Sequence, residues 1–173
     1  LMGGRTSISL AEGMTGMSEN VFLNVKNKSK TITVEVDVPE GKPAQGTLIV
    51  QGGRFGGWSL YVKDGVPAYD YNFVGLQRFT VNAKEKLGPG KSTLRFDFAY
   101  DGGGMAKGGL GTLYINGKKV GEGRIERTQP MIFSADETTD VGIDLATPVV
   151  EAIGSEARSK FTGRIPKLTV QVQ

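Results

Sequence analysis

Apolar and polar residues alternate with a period of two along much of the chain. Between Thr31 and Val38 every second residue is Ile or Val, and between Thr93 and Tyr100 every second residue is Leu, Phe or Tyr. This alternation predicts β-strands that bury one face. Shorter runs predict further strands at Thr6–Leu10, Gly46–Gln51, Gly57–Lys63, Ala68–Phe73, Gln77–Val81, Thr112–Asn116, Lys119–Arg124, Thr139–Asp144 and Leu168–Val172.

Turn residues separate these runs at the short intervals typical of β-sandwiches. Asp64-Gly65 and Asn116-Gly117 predict tight hairpins, because Asp, Asn and Gly tolerate positive φ. Thr147-Pro148 predicts one short helical turn through Ala152, with Thr as its N-cap. We therefore predict an all-β fold: residues 1–173 form a single antiparallel two-sheet sandwich of jelly-roll type, similar to concanavalin A-like lectin domains.

Composition excludes several kinds of chemistry. The chain has no cysteine and no histidine, so it forms no disulfide and no Cys or His metal site. Catalysis by a histidine base, including the Ser-His-Asp and Cys-His systems, is excluded for the same reason. The 26 glycines are about twice the ordinary share, and they lie between the apolar runs, as expected of many tight turns.

The chain is weakly basic, with a formal net charge of +3. Its densest basic cluster is Lys26, Lys28 and Lys30. One interpretation is a solvated turn before a strand, and the other is contact with a polyanion such as a sulfated glycan. Nucleic acid is not an expected partner, because no basic helix or ribonucleoprotein-type motif is present. No apolar run approaches the ~18 residues of a membrane span.

Three acidic residues follow the spacing Glu-x-Asp-x-x-Glu at Glu35, Asp37 and Glu40. Some jelly-roll glycoside hydrolases use this pattern for a nucleophile and an acid/base pair. Glu40 would reach the face of Glu35 only through a bulge, and Pro39 favours the end of a strand instead. The alternative interpretation is an outward polar face of the Thr31–Val38 strand.

The loop Asp136–Asp140 holds three acidic residues, Asp136, Glu137 and Asp140. They are weak candidates for a Ca²⁺ site, since Ca²⁺ prefers oxygen ligands. The alternative is a solvated turn in which acidic side chains cap backbone amides.

A second candidate surface combines Arg54 with Tyr61, Tyr69 and Tyr71 around one predicted hairpin. Tyrosines on an outward face can stack on a sugar or pack against another domain. Arg54 can contact a sulfate or a carboxylate. Trp58 belongs to the inward set of the same hairpin, which predicts a place in the core.

The segment Gly52–Asn72, with the sequence GGRFGGWSLYVKDGVPAYDYN, resembles the C-terminal, non-catalytic region of large bacterial arylsulfatases. Similar pieces follow in the family order and cover nearly the whole chain: Glu12–Met14, Lys26–Ile32, Leu87–Lys91, Phe98–Gly104, Gly117–Val120, Phe133–Gly142 and Phe161–Gly163. The resemblance implies a C-terminal auxiliary domain of a sulfuric ester hydrolase. Such a domain packs beside the catalytic sulfatase domain of the same chain, with the border of the substrate entrance as one possible place.

The resemblance also implies where the chemistry lies. Sulfatases use formylglycine, made from Cys or Ser in a (Cys/Ser)-x-Pro-x-Arg motif, together with a divalent metal, Ca²⁺ in that family. No residue two positions before a proline is Cys or Ser here, so the chain lacks the catalytic residue. We therefore expect no catalytic residue and no cofactor in this chain, which begins at Leu1 as the fragment of a larger bacterial enzyme acting on an aryl sulfate or a sulfated glycan.

Two other functions stay open. A lectin-like carbohydrate-binding module would use Arg54 and the three tyrosines, and a glycoside hydrolase would use Glu35 and Glu40. Localisation and oligomeric state do not follow from the sequence.

Overall fold

A computed structural model describes residues 4–173, so Leu1, the expected fragment boundary, lies outside the described residues. In this part the chain forms eleven strands and one short 3-10 turn at Glu156–Arg158. The strands are β1 Ser7–Leu10, β2 Lys30–Val38, β3 Gly46–Gly53, β4 Gly56–Lys63, β5 Val66–Phe73, β6 Gln77–Asn82, β7 Gly90–Tyr100, β8 Gly109–Ile115, β9 Lys118–Ile125, β10 Thr139–Val141 and β11 Arg164–Val172. Residues 4–173 include no helix of the length and hydropathy needed to cross a membrane.

The strands pair into two sheets. The six-stranded sheet has the order β1-β11-β2-β7-β8-β9, and the five-stranded sheet has the order β10-β3-β4-β5-β6. Every pairing between these strands is antiparallel. The prediction of an all-β, antiparallel two-sheet sandwich is therefore confirmed.

The alternation located the strands well and their ends less well. Gly109 and Gly111, which precede the predicted strand Thr112–Asn116, belong to β8. A Cβ at Gly111 would lie 2.9 Å from the Phe96 ring, and one at Gly109 would meet the Phe98 ring. These glycines make room for large neighbours, so they interrupt the apolar pattern without interrupting the strand.

The predicted helical turn from Pro148 to Ala152 is wrong. This segment forms bends and a hydrogen-bonded turn. Val149, Val150 and Ile153 are buried against the outward face of the five-stranded sheet. Packing of these apolar side chains decides the conformation here, in place of the capping signal.

Most of the core lies between the sheets. From the six-stranded sheet, the core contains the inward Ile and Val residues of β2 and Leu94 and Phe96 of β7. From the five-stranded sheet it contains Trp58 of β4 and Tyr69 of β5. A second apolar cluster covers the other face of the five-stranded sheet. Both faces of that sheet are thus buried near its centre, whereas the outer face of the six-stranded sheet is polar and open.

The glycine-rich turn between β3 and β4 is held by a buried asparagine. The Asn72 side chain donates to the carbonyl oxygens of Gly53 at 3.2 Å and Arg54 at 2.9 Å, and accepts from the Gly75 amide at 2.9 Å. One side chain therefore ties the β3–β4 turn to the β5–β6 turn. Gly52 has a φ of +88°, and a Cβ there would collide with the carbonyl oxygen of Gly56.

We expect Gly52→Ala to lower the free energy of unfolding by about 3 kcal/mol, because it adds a positive-φ penalty to a backbone collision. Urea unfolding of the purified chain measures this change. Gly88→Ala is the matched control, since a Cβ at Gly88 would meet nothing within 4 Å. Equal loss of stability in both variants would contradict this explanation of the turn.

Candidate functional site

The two ends of the sandwich differ in character. At one end the loops 18–29, 54–55, 74–76, 101–108 and 126–138 contact one another, for example where the Asn27 side chain donates to the Pro130 carbonyl at 2.9 Å and accepts from the Ala106 amide at 3.0 Å. This end carries seven of the exposed large apolar residues found in residues 4–173: Val21, Phe55, Val74, Leu76, Met105, Met131 and Ile132. We call it the apolar end.

The opposite end consists of the loops 39–45, 64–65, 83–89 and 116–117. Backbone hydrogen bonds link these loops, as from Gly65 to the Ala44 carbonyl at 2.8 Å and from Leu87 to the Gly65 carbonyl at 2.8 Å. Within the described part of the chain, these loops expose no large apolar side chain. The apolar end is therefore the better candidate for contact with another molecule.

A polar cleft of about 480 Å³ opens at the apolar end. It lies within the range of volumes usual for small-ligand sites. It is lined by Gly4, Arg5, Glu19, Asn20, Phe22, Asn24, Lys26, Lys28 and Ile132. Three cationic side chains face one carboxylate, so the cleft carries an excess of positive charge, and we call it the basic cleft.

The loop that forms one wall of the basic cleft is fixed from below. Phe22, Leu23 and Val25 are buried in the core, with the Phe22 ring 6.5 Å from the Trp58 ring. The Ser18 carbonyl accepts from the Phe22 amide at 3.1 Å and closes a turn. This anchoring explains how a segment without regular secondary structure holds a defined shape.

Glu19 joins the two walls of the basic cleft. Its carboxylate pairs with the Lys26 ammonium group and accepts from the Phe133 amide at 2.9 Å. Lys26 also lies over the Phe133 ring, 5.0 Å from its centroid. Within residues 4–173, neither Arg5 nor Lys28 has a carboxylate within ion-pair distance. The positive charge available to a ligand therefore comes from these two residues.

The donor set of the cleft suits an anion that also carries hydroxyl groups. A guanidinium and an ammonium group form strong, charge-assisted hydrogen bonds to carboxylate or sulfate oxygens. The amides of Asn20 and Asn24 add both donors and acceptors. The side-chain oxygen of Asn24, Oδ1, already accepts from the Lys26 backbone amide at 3.1 Å, which fixes the direction of that side chain.

The structure does not present the predicted tyrosines to a ligand. Tyr69 and Tyr71 face the core, where Tyr69 stacks on Phe96 with 3.8 Å between ring centroids. Tyr61 lies on the other face, but residues 149–153 cover it and its hydroxyl donates to Asp70 at 3.2 Å. Alternation assigns a side chain to a face, and it does not show that both faces are covered.

Arg54 is exposed at the apolar end, as a binding residue would be, but it does not line the basic cleft. Its amide donates to the Thr147 hydroxyl at 3.0 Å, and its guanidinium lies 5.6 Å from the Phe55 ring centroid. A role for Arg54 in binding stays a prediction.

The basic sequence cluster is divided by the fold. Lys26 and Lys28 line the cleft, whereas Lys30 is the first residue of β2 and is buried. The cleft residues Arg5, Asn20 and Asn24 come from irregular segments, where no periodic pattern marks them. The sequence does indicate that Lys30 faces inward, because it lies two residues before Ile32 and alternate residues of a strand share one face.

The structure does not bring the glycosidase pair together. β2 runs without a bulge against β7 and ends at Val38, so Pro39 ends the strand as predicted. Glu35 borders one surface cleft and Glu40 another. Asp37 lies in the strand opposite Lys91. The acidic spacing is therefore that of an outward strand face.

The acidic loop acts as a hydrogen-bonding centre. Asp140 accepts from the amides of Gly16 at 2.7 Å and Leu145 at 3.1 Å, and Glu137 accepts from the Thr147 hydroxyl at 2.5 Å. Asp136 is exposed. Residues 4–173 contain no group of three acidic side chains placed to hold a metal ion. These contacts give the Ca²⁺ interpretation no support, and it stays a prediction.

Comparison with known proteins shows what the fold resembles. No protein-family model matches the chain, and a search of curated proteins found no match. Among solved structures, the carbohydrate-binding module (CBM40) of the Ruminococcus gnavus IT-sialidase, bound to α2,3-sialyllactose, is similar. It has a TM-score of 0.58 and 18% identity, over 96% of this chain and 90% of that one.

Two further structures support the same fold. Domain 4 of AbnA, an arabinanase of Geobacillus stearothermophilus in complex with arabinotriose, has a TM-score of 0.52 and 17% identity, over 96% of this chain and 66% of that one. The leech intramolecular trans-sialidase has a TM-score of 0.53 and 14% identity, over 96% of this chain and 25% of that one. The predicted jelly-roll, lectin-like sandwich is therefore confirmed as the fold.

The arylsulfatase resemblance is wrong. The similar structures are sialidase carbohydrate-binding modules and other lectin-like sandwiches, and no sulfatase is found among them. The catalytic sulfatase domain, formylglycine and the sulfatase metal were implied only by that family, and they lose this support. The segments that carry the resemblance are mostly turns and strand ends. Unrelated β-sandwiches share such segments, because the same turn residues recur in them.

Lys30 lies in the core among three aromatic rings. Its ammonium nitrogen is 4.3 Å from the Trp58 ring centroid, 5.5 Å from that of Tyr69 and 5.9 Å from that of Phe98. It borders a cavity of about 10 Å³, which has room for about one water molecule. Burial, together with the charge of Lys26, lowers the pKa of Lys30 from 10.5 to about 7. The rings compensate part of the desolvation through cation–π attraction.

This lysine makes stability depend on pH. Between pH 7 and 10.5 the unfolded chain holds the Lys30 proton and the folded chain does not, so stability rises with pH. From pH 7 to pH 9 we expect the free energy of unfolding to increase by about 2 kcal/mol, measured by urea unfolding. Lys30→Met, which cannot titrate, should remove the increase and exceed the unsubstituted chain in stability at pH 7. The same slope in both proteins would contradict the assignment.

Proposed function

We propose that this chain is a non-catalytic, lectin-like carbohydrate-binding module that holds an anionic sugar in the basic cleft. The observation that carries the proposal is the preformed cleft with three cationic side chains and one carboxylate, the latter already held by Lys26 and the Phe133 amide. The similar module of Ruminococcus gnavus is bound to sialyllactose, a glycan with a carboxylate group. Fold and charge thus point to the same class of ligand.

Each group in the cleft has a defined part in this function. Arg5 and Lys28 bind the carboxylate or sulfate group of the sugar. Asn20 and Asn24 hydrogen-bond to its hydroxyl groups, which are donors and acceptors at once. Glu19 pairs with Lys26 in its own loop and accepts from the Phe133 amide of the facing segment, which keeps the two walls at a fixed separation, so less ordering is needed when the sugar binds.

Positive charge on Arg5 and Lys28 also sets the selectivity expected of the cleft. A neutral sugar leaves these two cations without a partner while displacing water from them, which costs free energy. An anionic sugar replaces that water with charge-assisted hydrogen bonds. Because the cleft is open to solvent, we expect its affinity for an anionic sugar to fall as salt concentration rises.

Titration calorimetry with 3′-sialyllactose, a chondroitin sulfate disaccharide and lactose tests the proposal. We expect saturable binding of at least one of the two anionic glycans and none of lactose. The two anionic arms distinguish a carboxylate site from a sulfate site. Arg5→Ala and Lys28→Ala should each weaken binding by about tenfold or more, because each removes a charged hydrogen-bond donor.

Lys63→Ala is the matched control, since Lys63 is an exposed lysine beside the opposite-end turn 64–65. It should leave affinity unchanged. Binding of lactose as tight as that of the anionic glycans, or equal weakening by Lys63→Ala, would refute an anion site in the basic cleft. Absence of binding for all three glycans at millimolar concentration would refute the proposed function itself.

A further inference from the structure

Exposed apolar side chains lead from the basic cleft across the apolar end of the sandwich. Ile132 lines the cleft and Met131 is 72% exposed beside it in the chain. Phe55, at 75% exposed, lies on the β3–β4 turn, and Leu76, at 83%, lies with Val74 on the neighbouring β5–β6 turn. We call these five residues the apolar strip.

Gln129 joins the two halves of the apolar strip. Its amide donates to the Tyr71 hydroxyl at 2.7 Å, which fixes the segment 129–132 to the core. Its side-chain oxygen accepts from the Val74 amide at 3.4 Å and lies against Gly56, the residue after Phe55. Three residues span at most about 10 Å, so the cleft and the hairpin turns border one continuous surface.

Contacts within the chain set the position of the two hairpin turns. Asn72 ties the turns together, and the Gly75 backbone is packed against Phe55 and the Arg54 carbonyl. Phe55 is therefore held outward on a rigid support. A large aromatic ring exposed in this way costs solvation free energy and indicates a contact surface.

We propose that the apolar strip binds the sugar residues that follow the anionic one, so that the ligand class is an oligosaccharide and Phe55 stacks on a distal ring. This inference rests on the proposed function. The C–H face of a sugar ring packs on aromatic and apolar side chains, because the ring face of Phe is negative and the C–H groups are weakly positive. The hydroxyl edge of the same sugar stays in water.

The strip matches an oligosaccharide better than a neutral apolar partner. It begins at a cleft whose donors suit an anion, and Met131 and Ile132 are its exposed apolar residues beside that cleft. Arg54 stands beside Phe55 and supplies a donor for a hydroxyl or acidic group at the distal end. Such an alternation of apolar contacts and polar edges is what a sugar chain requires.

Calorimetric comparison of free N-acetylneuraminic acid with 3′-sialyllactose and a longer sialylated tetrasaccharide tests the inference. If the cleft selects sulfate, chondroitin sulfate disaccharide and hexasaccharide take their place. We expect affinity to rise about tenfold from the shortest to the longest ligand. Phe55→Ala and Met131→Ala should remove most of this rise and leave the affinity for the shortest ligand unchanged.

Two controls separate a sugar contact from a structural effect. Phe55→Tyr retains an aromatic face and should keep the length dependence. Met14→Ala removes an exposed methionine that lies outside the apolar strip, and should change nothing. Length-independent affinity, or equal weakening of short and long ligands in Phe55→Ala, would overturn the inference while the proposed function stands.

Vesicle sedimentation tests whether the apolar strip binds a lipid surface instead of a sugar. Sedimentation with vesicles of phosphatidylcholine and phosphatidylserine should be weak and unaffected by Phe55→Ala. If Phe55→Ala abolished strong sedimentation and left oligosaccharide affinity intact, the strip would be a lipid contact and the inference would be wrong.

Discussion

A column of four aromatic rings holds the molecule together. Phe96 of the six-stranded sheet stacks on Tyr69 of the five-stranded sheet at 3.8 Å, Tyr69 faces Trp58 at 6.0 Å, and Trp58 faces Phe22 at 6.5 Å. Three layers meet in this column: both sheets and the irregular loop that forms the basic cleft. Aromatic side chains bury the largest apolar areas, so the sandwich and the cleft depend on the same contacts. The shape of the candidate site is thereby linked to the stability of the core.

The column also explains a buried lysine close to a surface cleft. Trp58 and Tyr69 offer ring faces to Lys30, while the next lysines toward the N-terminus, Lys28 and Lys26, border the cleft. Within one short basic segment, Lys26 and Lys28 therefore lie at the surface cleft and Lys30 lies in the core. Burial of Lys30 lowers its pKa and costs core stability, whereas the paired Glu19 balances the charge of Lys26 at the surface.

Sequence periodicity was sufficient for the fold and insufficient for the site. The alternation in β2 and β7 gave both central strands of the six-stranded sheet, because a half-buried strand must follow a period of two. The same rule assigned Tyr61 outward correctly and could not reveal the loop 149–153 that covers it. Arg5, Asn20 and Asn24 lie in irregular segments; burial of Phe22 and its neighbours fixes the loop of the two asparagines, and Arg5 reaches the cleft from the residues before β1. Turn motifs suggested the wrong family, since they record local geometry that many sandwiches share.

Mapping of glycan contacts by nuclear magnetic resonance tests the central claim, that the basic cleft is the binding site. Backbone amide shifts are followed while 3′-sialyllactose is added to the labelled chain. We predict saturable changes at Arg5, Asn20, Asn24 and Lys28. Changes confined to the open outer face of the six-stranded sheet, around Arg95 and Tyr114, would place the binding site elsewhere and contradict the claim.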